Sequence, residues 1–163
     1  MDSRAKLLGH PIHQMLIVFP LGLLITAVIF DIVYFATDAP GFATVAYWNI
    51  LGGIIGGLLA GIFGFIDWLA IPQGTRAKRI GMMHGIGNVV VLVLFIVAWA
   101  LRSDDPQHLP VTSAFVLQII AVALGSVTAW LGGELVDRLG VGVHEGANLD
   151  APSSLSGKPA TLR

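Results

Sequence analysis

Four long apolar stretches, parted only by short turn-rich segments, constrain this chain more than anything else in it. They run over about residues 11–36, 45–71, 80–101 and 113–136. A helix that crosses a bilayer needs about 20 mostly apolar residues at about 1.5 Å of rise each, and all four stretches meet that length. The connections contain Asp38-Ala39-Pro40-Gly41, Pro72-Gln73-Gly74 and Asp104-Asp105-Pro106, sequences that turn a chain sharply. Connections this short make successive helices antiparallel neighbours. The expected fold is therefore all-α, a transmembrane up-down-up-down four-helix bundle over residues 1–146. A cytoplasmic tail of residues 147–163, rich in Ser, Pro, Gly and Ala, is expected to be disordered.

Composition removes the alternatives. Only 12% of the 163 residues are charged and mean hydropathy is +0.82, a balance foreign to soluble domains, where about a quarter of residues are charged. A net charge of −1 gives nucleic acid no electrostatic footprint. The absence of cysteine excludes disulfides, iron–sulfur ligation and thiol catalysis in this chain. No serine-hydrolase or phosphate-loop motif is present, so no catalytic residue set is assigned. The lipid bilayer is the first expected partner.

The first span is expected to be retained rather than cleaved. Its apolar run is long for a signal peptide, and Asp31-Ile32-Val33-Tyr34 follows instead of a small-residue cleavage site. Lys and Arg set the orientation. Arg4, Lys6, Arg76, Lys78, Arg79, Arg138, Lys158 and Arg163 fall on one side, and only Arg102 falls on the other, beside Asp38, Asp104 and Asp105. The positive-inside rule then places both termini in the cytoplasm, in a bacterial inner membrane. Tyr47, Trp48 and Trp99 would line the outer interface, with Trp68 and Trp130 at the inner one.

The second span carries Gly52, Gly53, Gly56, Gly57, Gly61 and Gly64. Small residues at four-residue spacing let helices approach closely in lipid. The Gly52–Gly64 face is thus expected to pack within the bundle or against a second copy, or else to make room for a flat guest. Pro20 is expected to kink the first span.

Ionisable groups at membrane depth are costly, which makes each a functional candidate. Here they collect at one end. His10 and His13 open the first span, Asp67 closes the second, and His84 and Asn88 share a face early in the third. Glu134, Asp137 and Arg138 end the fourth, and His144 follows. Because the helices alternate in direction, these groups form one cytoplasmic layer holding four of the five histidines, with His108 outside it. Bland roles exist for several members. Asp67 is placed to pair with Arg76 or Arg79, and Glu134 with Arg138 four residues on. His144 would be solvated. Asp31, about 27 Å along the helix from His13, is expected to be a hydrogen-bonded structural acid partnered by Tyr47, Asn49 or Gln118.

Imidazoles on two helices can clamp one haem b, with His10 or His13 opposite His84, Asn88 and Glu134 as supporting partners, and Arg76 and Arg79 at the aqueous rim for its carboxylates. The same layer could instead hold a non-haem transition metal through His10, His13, His84, Asp67 and Glu134. A third reading binds nothing: the polar layer only locks helix ends together in a membrane subunit or scaffold. For the redox readings, a partner protein or a quinone is the expected exchange partner.

The runs His10-Pro11-Ile12-His13 leading to Phe19-Pro20, His84-x-x-x-Asn88, Trp130-Leu131-Gly132-Gly133-Glu134-Leu135 and Gly140-Val141-Gly142-Val143 resemble the bacterial four-span membrane family catalogued as domain of unknown function 2231. The resemblance covers about residues 5–146. It implies a membrane partner of Rieske-type iron–sulfur domains and a layout similar to small b-type cytochromes, hence electron transfer. The chain departs from the family pattern at Asp137-Arg138-Leu139, where relatives carry an aromatic residue and a further histidine.

Overall fold

The computed structural model describes residues 1–160, so Arg163 lies outside the described residues. A two-strand hairpin comes first, β1 (Lys6–Leu7) against β2 (His10–Pro11). Five helices follow: α1 (Ile12–Leu16), α2 (Val18–Thr37), α3 (Pro40–Ala70), α4 (Arg76–Ala100) and α5 (Thr112–Gly133). A π-helical turn, Glu134–Arg138, prolongs α5. Four helices are long and apolar enough to cross a membrane: Ile12–Thr37, Pro40–Ala70, Arg76–Ala100 and Thr112–Arg138.

Local chemistry sets the boundaries. Asp38 ends α2 in the left-handed region (φ 53°), its N–H bonded to the Tyr34 carbonyl. Pro40 then starts α3, five residues before the apolar run at Val45, because proline presets helical φ and needs no N–H partner in the first turn. Two residues therefore reverse the chain. Thr75 caps α4, its hydroxyl oxygen accepting from the Lys78 N–H at 3.1 Å. The interruption in the first span falls at Ile17, one turn ahead of Pro20. Proline has no N–H to offer the Leu16 carbonyl, so that one bond is missing, while Ile17 N–H to His13 and Leu21 N–H to Ile17 close at 3.1 Å on either side.

α2 packs on α3 and α4 on α5, with α3 against α4 and α2 against α5 closing the bundle. Hence α2 and α4 lie diagonally across its axis. Leu24, Ala27, Val28, Ala46, Ile50, Ile54, Val91, Phe95 and Ala121 form the core. Large apolar side chains such as Ile29, Leu58, Ile62, Val89, Val93 and Val127 face outward. An exterior of that kind suits hydrocarbon, not water.

Packing inside the chain takes up the glycine stripe of α3. A methyl at Gly52 would press on Leu23, at Gly53 on Leu24, at Gly56 on Phe19, at Gly57 on Leu92 and at Gly64 on the His13 ring. Gly61 alone of the stripe meets nothing within 4 Å. The tail, expected to be disordered, is described to residue 160 as turns with a short 3-10 segment, Ser154–Ser156, whose first residue rests against Gly9.

Candidate functional site

The end of the bundle that carries the N-terminus holds a pair of imidazoles from the diagonal helices. His13 on α1 and His84 on α4 have ring centroids 6.3 Å apart, with ring planes at 89°. Both residues are half-buried. His13 Nδ1 lies 2.8 Å from the Ala60 carbonyl oxygen on α3, and His84 Nδ1 lies 2.8 Å from the Thr128 carbonyl oxygen on α5. A carbonyl only accepts, so each Nδ1 carries the proton and each Nε2 keeps its lone pair. Glycine seats both rings. A methyl at Gly64 would stand 2.8 Å from His13 Nδ1, and one at Gly132 would stand 3.1 Å from His84 Cε1.

The surroundings of the two rings differ. Around His84 three hydrogen bonds close a cycle. Its Nδ1–H donates to the Thr128 carbonyl, the Thr128 hydroxyl donates to Asn88 Oδ1 at 3.0 Å, and Asn88 Nδ2 donates to the His84 carbonyl at 2.8 Å. The Asn88 amide also lies across the ring, 3.4 and 3.3 Å from its two nitrogens. Among the described residues, the His13 ring has only the bond to Ala60.

A correspondence between the two halves of the chain underlies the pair. His84 stands as far along the chain from His13 as Arg102 does from Asp31, 71 residues. Ala60 and Gly64 of α3 have counterparts at Thr128 and Gly132 of α5 in the same order and spacing. The chain is thus two similar helical hairpins, each seating one imidazole on a carbonyl and a glycine of its own second helix.

The Asp31–Arg102 pair occupies the opposite end and was not legible as such. The sequence suggests Tyr47, Asn49 or Gln118 as partners for Asp31 and sets Arg102 on the outer side beside Asp38, Asp104 and Asp105. Instead Arg102 is wholly buried one residue beyond Leu101. Its guanidinium donates to Asp31 Oδ2 at 2.7 Å, Asp31 Oδ1 at 3.0 Å, the Ala43 carbonyl at 2.9 Å and the His108 carbonyl at 2.8 Å. Gln118 does bond Asp31, at 2.8 Å, whereas Tyr47 stacks flat on His108 with centroids 3.8 Å apart. The signal was the shared interval: Asp31 and Arg102 each follow a histidine by eighteen residues, five helical turns, and so lie on the histidines' face.

The rest of the expected layer lies at the same end of the bundle but bonds elsewhere. His10 lies on β2, exposed, with Nε2 3.3 Å from the Ser154 hydroxyl. Asp67 pairs with neither Arg76 nor Arg79; it accepts from the Ser3 hydroxyl at 2.8 Å and from the Arg4 and Ala5 N–H groups at 2.7 and 3.3 Å. The N-terminal backbone, lacking helical partners for these donors, uses the carboxylate instead. Glu134 pairs with Arg76 at 2.7 Å rather than with Arg138. Lys78 is buried, donating to the Trp68 carbonyl at 2.7 Å with its ammonium 3.8 Å from that ring's centre. Arg79 is exposed and makes no ion pair among the described residues. His144 lies exposed beyond α5, its Nδ1 2.6 Å from the Glu145 carbonyl. Among the described residues, no three His, Asp or Glu side chains gather as a metal cage. The five-residue non-haem set is therefore not assembled.

A family model described as "Predicted membrane protein (DUF2231)" matches residues 9–145. No curated protein and no solved structure matches the chain. The likeness to small b-type cytochromes therefore finds no support in these comparisons.

Proposed function

The chain belongs to the DUF2231 family of predicted membrane proteins, and on that premise we propose that it is an integral membrane redox component that holds one haem b through His13 and His84. The observation that carries this reading is the state of the two rings. Both are turned by backbone carbonyls so that an unprotonated Nε2 is left over, and the two rings stand with centroids 6.3 Å apart. When bound, haem supplies one-electron chemistry. The protein's part would be to hold the group through the His13 and His84 imidazoles, exclude water with an apolar exterior and compensate its carboxylates. Arg79 suits that last task, since Glu134 already neutralises Arg76.

Location and partners belong to the same reading. The Lys and Arg asymmetry supports a terminal end in the cytoplasm of a bacterium, where electrons would be exchanged with a partner protein or a quinone. Because the chain has no cysteine, single cysteines at His144 and Ser103 give a clean test of sidedness. An impermeant maleimide should label Ser103→Cys from outside and His144→Cys only after lysis. The reverse pattern would overturn the orientation.

A second reading has an observation of its own. Each imidazole already joins two helices, α1 to α3 and α4 to α5, a lock that needs no guest. Purified protein separates the readings. A Soret band that His84→Ala abolishes supports haem; colourless protein without metal by elemental analysis supports the structural lock. Colourless protein that carries metal would point to a two-histidine metal site.

A further inference from the structure

We infer that the outward face at the end of α5 is a binding site for one ethanolamine phospholipid, built from Trp130, Asp137 and Arg138. The site is independent of the haem reading and requires only that the chain lies in a membrane. An open cavity of about 200 Å³ is lined by Trp130, Gly133, Glu134, Asp137 and Arg138. Residues four, seven and eight apart share one helical face, and this face points away from the bundle, with Trp130 65% exposed. Gly133 leaves the cavity wall bare, since a methyl there meets nothing within 4 Å. Tryptophan at the end of a span sits at headgroup level, so the bilayer itself supplies what the cavity meets.

The charges select the headgroup. Glu134 is committed to Arg76 through Oε1. Asp137 and Arg138 are exposed, and among the described residues neither side chain has a hydrogen bond or an ion pair. The cavity therefore offers one free carboxylate and one free guanidinium beside an aromatic face. An ethanolamine phospholipid carries the complement, one ammonium and one phosphate. Its ammonium has three N–H donors for the Asp137 carboxylate and is attracted to the face of Trp130. Its phosphate suits the two-pronged donors of Arg138. A choline headgroup has no N–H to give Asp137, and a glycerol headgroup has no cation for it.

The test uses the full chain in detergent, mixed with equimolar phosphatidylethanolamine, phosphatidylcholine and phosphatidylglycerol of one acyl composition and read by native mass spectrometry. One phosphatidylethanolamine should stay bound several-fold in excess of either competitor. Arg138→Gln should cut that excess several-fold, as should Gly133→Leu, which fills the cavity from a backbone already helical (φ −58°). Both variants should keep the wild-type unfolding midpoint in lipid-free detergent. Asp137→Asn leaves a lone cation and should turn the preference toward phosphatidylglycerol, which a merely structural carboxylate would not do. Equal retention of the three lipids by the wild type, or a preference that survives Arg138→Gln and Gly133→Leu, would overturn the site. Displacement of the bound lipid by equimolar soluble phosphoethanolamine would overturn the bilayer as the source of its ligand.

Discussion

Arg102 grips Asp31 with two hydrogen bonds in an interior where neither side chain exposes any surface. The guanidinium reaches from the end of α4 to the face of α2, tying the two diagonal helices at the end of the bundle opposite the imidazoles. Such a pair is fully committed. Removing one partner leaves a buried charge without its counter-ion, which costs more than the pair itself contributes.

The Arg102→Met variant should therefore lose about 3–5 kcal/mol of stability, whereas Asp31→Asn combined with Arg102→Met should recover part of that loss. Thermal unfolding in detergent checks both. Equal destabilisation by the single and the double variant would show that the charge pairing is not what the fold relies on.

Glycines that seat rings should differ sharply from one that faces outward. Gly64→Ala drives a methyl to 2.8 Å from His13, and overpacking of this kind typically costs about 1–3 kcal/mol. Gly61→Ala meets nothing within 4 Å and should be neutral, or stabilising through helix propensity by up to about 1 kcal/mol. Unfolding midpoints of the two variants should fall on opposite sides of the wild type or, for Gly61→Ala, on it.

Asp67 holds the N-terminal segment through the Ser3 hydroxyl and two backbone N–H groups. Asp67→Ala should free that segment. Trypsin should then cut at Arg4 and Lys6 several-fold faster, with the bundle core left intact, as peptide mapping over time would reveal. Unchanged cutting would mean that the β1–β2 hairpin alone secures the segment.

Glu134→Gln should do little. Arg76 is 52% exposed in its ion pair with Glu134, and exposed pairs contribute about 0–1 kcal/mol. A loss well beyond that range would assign Glu134 a role other than pairing with Arg76.

The spans were legible because lipid demands length and apolarity, and turn residues mark the gaps between them. Boundaries moved only where a local rule competed, as at Pro40, where proline's fixed φ begins α3 ahead of the apolar run. The imidazole pair was legible in part. Depth placed His13 and His84 at one level, and the glycines near His84 signalled space. Depth cannot say which way a residue faces around the helix, and His10, Asp67 and Glu134 share the imidazoles' end of the bundle while bonding to other groups. Arg102 was misplaced for a related reason. It sits where a span meets a polar loop, and only the interval it shares with His84, compared with that between Asp31 and His13, draws it inward.

The Asp31–Arg102 link has a consequence for how the protein is made. A ribosome delivers the first hairpin, carboxylate included, well before it delivers the arginine that matches it. Until the second hairpin arrives, Asp31 must enter the bilayer protonated, linger at its edge or borrow a neighbour. Completion of the second hairpin thus supplies both side chains, Arg102 and Gln118, that hold the carboxylate of the first.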